Sequence, residues 1–139
     1  MSIETTTRVM NGYFEALFHG GDFGAFFSDD VLWTTTETGE QVQGRAAVRD
    51  HIAALHTQLF DAHPEVKRTG ISDGYAFIEA DFVGTHTGEF AGIAATGAAV
   101  RVPYSVAYDV TDEGITALRG YLPVALLISR VQEAARAAV

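Results

Sequence analysis

Hydrophobic residues near the start of the chain recur at the spacing of one helix face. Val9, Tyr13 and Leu17 form this stripe, which predicts a helix that ends before Gly20. A short second helix is predicted directly afterwards, over residues 23–27, with Asp22 as its N-cap.

Two further segments have a helical pattern. The first covers residues 45–60, begins after Gly44 and cannot continue through Pro64. The second is the alanine-rich, amphipathic segment at residues 124–139. The apolar stripe of the first follows the i, i+4, i+7, i+11 pattern and consists of Val48, Ile52, Leu55 and Leu59.

The remaining hydrophobic segments alternate with a period of two or are rich in β-formers, which predicts strands at residues 31–36, 65–71, 75–86, 99–110 and 115–122. Turn residues at 72–74 and 111–114 separate the last four of them into two pairs of neighbours along the chain, 65–71 with 75–86 and 99–110 with 115–122. An order of helices first and antiparallel strands afterwards is typical of an α+β fold.

The alternation also predicts which side chains face the interior. The even positions of residues 99–110 are apolar or aromatic, so Tyr104 and Tyr108 are expected on the concave face of the sheet. The even positions of residues 75–86 are apolar up to the last one, which places His86 on the same face. Glu79, Asp81 and Asp109 then fall on the outer face as solvated charges, and Pro103 predicts a strand edge or a bulge.

Composition narrows the classes of function. A chain of 139 residues predicts one domain over residues 1–139, and 47% hydrophobic residues indicate a globular one. A net charge of −9 disfavours nucleic acid and anionic membranes as partners. The absence of cysteine and of ligand-spaced histidines predicts no metal site, and we expect no cofactor. With no signal-peptide pattern or apolar span, a cytoplasmic, soluble protein is expected.

Four segments carry a resemblance to a known family. They are the glycine-rich residues 84–97, the helix pattern of residues 9–22, the strand pattern of residues 29–35, and residues 118–122. Together they resemble the SnoaL-like polyketide cyclases of the nuclear transport factor 2-like superfamily, which also contains ketosteroid isomerase and limonene epoxide hydrolase. The resemblance covers residues 9 to about 130. It implies a cone-shaped α+β barrel, in which a curved, mostly antiparallel sheet and N-terminal helices enclose a pocket, and a homodimer formed through the outer face of the sheet.

The same resemblance identifies site positions, and several lack the family's chemistry. Tyr13 matches the tyrosine that donates a hydrogen bond to the substrate oxyanion in the isomerase. Thr35 stands at the position of the isomerase's general base, Val106 at that of its second acid, and Gly120 at that of the aspartate of the cyclases and the hydrolase. The expected substrate-binding residues are Trp33, Thr35, Phe82, Tyr104, Val106, Tyr108, Leu118, Gly120 and Leu122.

The candidate catalytic residues that remain are Tyr13 as hydrogen-bond donor and His86 as base. The alternative role for His86 is a structural hydrogen bond at the end of its strand. His51 and His56 flank the stripe of the predicted long helix and are expected on its surface, although His56 could reach the mouth of the pocket.

These residues predict an enzyme of cyclase, isomerase or lyase type, acting by acid–base chemistry on a hydrophobic polyketide-like, aromatic or polycyclic substrate. A non-catalytic small-molecule-binding protein that has lost the aspartate at position 120 is the first alternative. An interaction module with a filled pocket is the second, and the small residues expected along the lining weaken it.

Overall fold

The computed structural model describes residues 2–137, and its first helix ends where the sequence predicts. Helix α1 (Ile3–Phe18) begins at Ser2, whose hydroxyl accepts a hydrogen bond from the backbone N–H of Thr5. It ends at His19, before Gly20 takes a positive φ of 78°. The other elements are a 3₁₀ turn (Phe23–Phe26), β1 (Phe27–Thr35), β2 (Glu40–Gln43), α2 (Arg45–Ala53) with a π-helical continuation (Ala54–Leu59), β3 (Phe60–Ala62), β4 (Glu65–Ser72), β5 (Tyr75–His86), β6 (Ala99–Thr111), β7 (Gly114–Tyr121) and α3 (Val124–Ala137).

The seven strands within residues 2–137 form one curved sheet in the order β2-β1-β7-β6-β5-β3, and β4 also pairs with β5. The long strand β5 pairs with β4 over its first part and with β3 at its end. Among these described strands, all pairs are antiparallel except β1 with β7. The fold is therefore α+β with a mostly antiparallel sheet, as the sequence predicts.

The predicted elements differ from the structure in several ways. Strand β1 begins at Phe27, which the sequence places in the second helix, and so starts four residues before the predicted strand at residues 31–36. The helix predicted for residues 45–60 changes to π-helical hydrogen bonding at Ala54 and gives way to β3 at Phe60. Strands β2 and β3 are too short for a periodic signal and were not predicted. The side chain of Asp22 makes no capping hydrogen bond. Residues 138 and 139 of the last predicted helix lie outside the described part.

The core consists of two clusters on the concave face of the sheet. The larger packs α1 against the middle of the sheet, around Tyr13 and Tyr108, and the smaller packs α3 against the ends of β5 and β6, around Phe82 and Leu127. Tyr104 contacts both clusters. Within residues 2–137, no helix has the length and hydrophobicity needed to cross a membrane.

Two outer-face carboxylates that the sequence predicts to be solvated, Asp81 and Asp109, form ion pairs instead. Asp81 is buried to 7% exposure and pairs with Arg101 at 2.8 Å and with Lys67 at 3.2 Å. A buried carboxylate without such partners is strongly disfavoured, which explains why two cations converge on it. Asp109 binds the guanidinium of Arg119 through two hydrogen bonds of 2.8 and 2.9 Å.

Candidate functional site

A cavity lies between the two core clusters, and the sheet provides one side of it. Strand β1 contributes Trp33, and β5 contributes Ile78 and Phe82. Alternate residues of β6 point into it because side chains of one face recur every second position. The β6 and β7 side of the lining consists of Tyr104, Val106, Tyr108, Leu118 and Gly120, followed by Leu122.

Helical segments close the other side of this inner cavity. Helix α1 contributes Tyr13, Leu17 and Phe18. The α2 segment and its π-helical continuation contribute His51, Ile52, Leu55 and His56. Among the described residues, the lining contains no Asp, Glu, Lys or Arg. The cavity volume, counted as the space that the centre of a water molecule can reach, is about 40 Å³.

The polar groups of the inner cavity are mainly three phenols. Burial raises the pKa of Tyr13, Tyr104 and Tyr108 well above the usual value of 10. Electrostatic repulsion from neighbouring tyrosines raises the pKa of Tyr13 and Tyr108 further. All three therefore stay protonated near neutral pH. Within residues 2–137 no protein group is hydrogen-bonded to their hydroxyls, so these donors remain for a ligand.

His56 is the cavity residue best suited to accept a proton. Its Nδ1 lies 2.8 Å from the carbonyl oxygen of Ile52. Because a carbonyl oxygen only accepts, Nδ1 carries the proton of the neutral ring and Nε2 keeps the lone pair. Burial lowers the pKa of His56 below its usual 6.5, although the bond to Ile52 acts in the opposite direction. The ring is neutral and basic at pH 7.

The structure places His86 away from Tyr13, against the expectation from the sequence. Tyr13 packs on Tyr108, which pairs with Ala76, and His86 is ten positions further along β5, about 33 Å of extended strand. His86 is fully buried against Phe60 and does not line the inner cavity. The strand parity predicted its face but could not predict its distance along the barrel.

The contacts of His86 are those of a structural residue. Its Nδ1 accepts a hydrogen bond from the backbone N–H of Thr96 at 3.1 Å and lies 2.9 Å from the Thr96 hydroxyl. The backbone of His86 is also hydrogen-bonded to Gly97 and Ala98. These bonds fix the loop between β5 and β6, which corresponds to the alternative role considered for this residue.

Trp33 and Gly120 are in direct contact at the wall of the inner cavity. A Cβ atom at Gly120 would lie 2.6 Å from both Cη2 and Cζ2 of the indole. The indole N–H donates a 2.8 Å hydrogen bond to the hydroxyl of Thr35, so Thr35 contacts the wall without lining the cavity itself.

Comparison with known families agrees with this architecture. The family model for SnoaL-like polyketide cyclase matches residues 9–124. The chain belongs to this family. No curated protein matches it.

Solved structures with low sequence identity have the same fold. A candidate polyketide cyclase of Xanthomonas campestris pv. campestris is 21% identical, with 92% of this chain and 97% of that one covered, at a TM-score of 0.77. A candidate SnoaL-like polyketide cyclase of Jannaschia sp. CCS1 is 14% identical over 91% and 90% of the two chains, at 0.79. AclR, a candidate hydroxylase of Streptomyces galilaeus, is 17% identical over 94% and 87%, at 0.76.

His56 lines the inner cavity, whereas the sequence analysis places it on the helix surface. A signal for it exists in the sequence, because His56 follows Ile52 by four residues and therefore shares its buried face. The other residues expected to be catalytic or to bind substrate border the inner cavity, apart from Thr35 and His86. Of the small residues expected along the lining, Gly120 borders it, whereas Ala76, Ala80 and Gly84 do not. Within residues 2–137, no group of three His, Asp or Glu side chains is arranged to hold a metal ion.

Proposed function

We propose that the inner cavity catalyses a cyclase- or isomerase-type proton transfer at a carbon next to a carbonyl group of a neutral, hydrophobic, polyketide-like substrate. The family membership supports the reaction class. The observation that carries the proposal is an imidazole with a free Nε2 lone pair in the same apolar cavity as three protonated phenols.

The proposed step needs a base and a hydrogen-bond donor. Nε2 of His56 takes the proton from the carbon, and the electrons of the C–H bond move through the carbon onto the carbonyl oxygen, which becomes an enolate. The hydroxyl of Tyr13, alone or with Tyr108, donates to this oxygen. The enolate carbon then attacks a second carbonyl to close a ring; the π electrons of that carbonyl move to its oxygen, and this alkoxide takes the proton from Nε2 of His56. In an isomerisation, Nε2 instead returns the proton to another carbon.

The environment of the cavity favours this chemistry over charged alternatives. In an apolar cavity a hydrogen bond to a developing oxyanion is stronger than in water. His56 also borders a surface groove lined by Asp61 and His63, which gives the imidazole a route to exchange its proton with solvent. His56 replaces His86 in this proposal because His86 does not reach the cavity.

Solvent deuterium exchange tests the proton-transfer step without knowledge of the natural substrate. 2-Tetralone, a neutral two-ring ketone, is incubated with the protein in D₂O, and incorporation of deuterium next to the carbonyl is followed by NMR. We expect catalysed exchange by the unaltered protein and its loss in His56→Asn. Asparagine can keep a donor near the Ile52 carbonyl but has no basic nitrogen. His19→Asn, an exposed position, is the matched control.

A non-catalytic binding protein is the second candidate function. It is favoured by the residues at the three family acid positions, because Thr35, Val106 and Gly120 have no carboxyl group. Tight binding of the ketone with no exchange above the background rate would support this candidate and contradict catalysis.

A further inference from the structure

The indole of Trp33 occupies the space that a side chain at position 120 would need. Carbon atoms of folded proteins do not approach to the 2.6 Å that separates a built Cβ at Gly120 from Cη2 and Cζ2 of Trp33. While Trp33 keeps this orientation, position 120 has no room for alanine, and still less for aspartate. The indole in this orientation and a side chain at position 120 therefore exclude each other.

Trp33 is held in this orientation from several sides. Its N–H donates to Thr35, and its ring packs against His51 at a centroid distance of 5.4 Å. The backbone of Thr35 pairs with Gly120, and the N–H and hydroxyl of Thr36 both donate to the carbonyl of Gly120 at 3.0 Å. The indole is 8% exposed. It is a fixed part of the wall.

A second space lies on the far side of this wall. This outer pocket is bordered by Thr38, Glu40 and Phe90 and has a volume of about 270 Å³ by the same measure. It shares Trp33, His51, Leu55 and Leu122 with the inner cavity. Residues that line both spaces form the partition between them, and Trp33 has the largest side chain of the four.

We propose that Trp33 determines the size of the substrate: the inner cavity takes a neutral carbonyl compound of one or two fused rings, and the indole blocks longer ring systems from extending into the outer pocket. This inference deepens the proposed function and rests on it for the carbonyl group, whereas the size limit is a property of binding alone. The inner cavity offers about 40 Å³ to the centre of a water molecule and is closed by Trp33 on the side of the outer pocket, so a four-ring system would have to displace the indole.

The charge of the ligand follows from the lining. The described lining of the inner cavity contains no lysine or arginine to pair with an anionic ligand and no carboxylate to pair with a cationic one. Burying either charged ligand would therefore be unfavourable. Three neutral phenols can donate hydrogen bonds to a carbonyl oxygen, and the neutral imidazole of His56 keeps an acceptor nitrogen, so neither kind of group brings a net charge into the cavity.

Calorimetric titration with two neutral ketones tests the size limit. The probes are 2-tetralone, with two rings, and 4-androstene-3,17-dione, with four. For the unaltered protein we expect the steroid to bind at least about tenfold more weakly, a typical discrimination by an apolar pocket. Trp33→Leu and the milder Trp33→Phe should lower this ratio, because they join the two spaces. Circular dichroism checks that each variant is folded.

A similar glycine–aromatic pair elsewhere in the sheet provides the control. The Phe77 ring covers Gly70 across β4 and β5, and neither residue lines the inner cavity or the outer pocket. Phe77→Leu should leave the ratio unchanged. In addition, Gly120→Ala should destabilise the unaltered protein more than it destabilises Trp33→Leu.

Three results would overturn the size limit: equal or tighter binding of the steroid by the unaltered protein, an unchanged ratio in both Trp33 variants, or no binding of either ketone. Selective binding of 2-tetralone without deuterium exchange would instead contradict the proposed function and leave the size limit supported.

Discussion

Nδ1 of His56 lies 2.8 Å from the carbonyl oxygen of Ile52, four residues earlier in the same helical segment. This single bond decides which ring nitrogen is basic, since it keeps the proton on Nδ1. The segment changes from α- to π-helical hydrogen bonding between these two residues, and such changes are often found at functional sites. A residue that looks like a helix-surface histidine in the sequence thereby becomes part of the cavity lining.

The pH dependence of deuterium exchange should report the titration of His56. Its pKa lies below 6.5 because burial disfavours the charged ring. We expect the rate to be constant near pH 7 and to fall only at a pH below 6.5, as the imidazole becomes protonated. Rates measured from about pH 5 to 8 should show this acidic limb. Its midpoint at or above 6.5 would contradict the buried, neutral base.

Acidification should lower the stability of the folded protein through His56, just as it lowers the exchange rate. The unfolded chain binds a proton at His56 more readily than the folded protein does. The free energy of unfolding therefore decreases as the pH falls from 6.5 through the lower pKa of the folded protein. Chemical denaturation at several pH values should show that acidification lowers the free energy of unfolding less in His56→Asn than in the unaltered protein. An identical acid-induced loss in both proteins would contradict this linkage.

His56 and His86 should give opposite results when substituted. His86→Ala removes a fully buried ring and its bonds to Thr96, so we expect a loss of about 1–3 kcal/mol in the free energy of unfolding. The exchange rate per folded molecule should not change. His56→Asn should abolish exchange with a smaller effect on stability. Loss of exchange in a folded His86→Ala protein would restore the catalytic role expected from the sequence.

Tyr13→Phe should slow exchange while keeping the aromatic packing. A donor aimed at a developing oxyanion typically contributes a factor of about 10²–10³ in rate. Phenylalanine retains the ring contacts with Phe27 and Tyr108, so thermal unfolding should be nearly unaffected. Tyr121→Phe, which removes a hydroxyl from an exposed tyrosine, is the control. An unchanged rate in Tyr13→Phe would exclude this hydroxyl as the essential donor.

The sequence predicted the sheet side of the site better than the helical side. Tyr104, Val106 and Tyr108 line the cavity, as their strand parity predicts, because β6 is regular from residue 99 to Asp109, where its register with β7 shifts. Strand periodicity fixes the face of a side chain but not its position along a curved sheet, which is why His86 was placed too near Tyr13.

The remaining features depend on tertiary structure. Nothing in the local sequence indicates that Trp33 would lie against Gly120, because the two residues are on different strands brought together by the only parallel pairing among the described strands. The change to π-helical hydrogen bonding at Ala54 likewise could not be predicted, because no proline or glycine marks it in the sequence.

The ion pairs of Asp81 should make stability sensitive to acid. Hydrogen bonds from Arg101 and then Lys67 lower the pKa of Asp81 below 3.8. A carboxylate with a lowered folded pKa stabilises the protein above the unfolded pKa and loses this effect as the pH falls through the folded value. We therefore expect Asp81→Asn to lower the melting temperature at pH 7 but to lower it less at pH values well below 3.8. Asp22→Asn, at an exposed residue without a capping bond, is the control.

We propose that the outer face of the sheet forms a homodimer. Tyr121 is 52% exposed there, beside a shallow groove bordered by Pro103 and Ser105, and Tyr75 is also exposed. Large exposed aromatic side chains on one face are typical of a protein–protein interface. Analytical ultracentrifugation at micromolar concentration should show a dimer that Tyr121→Glu weakens, whereas Ile3→Glu, at an exposed residue of α1, should not. A monomer at that concentration, or equal effects of the two variants, would contradict an interface at this face.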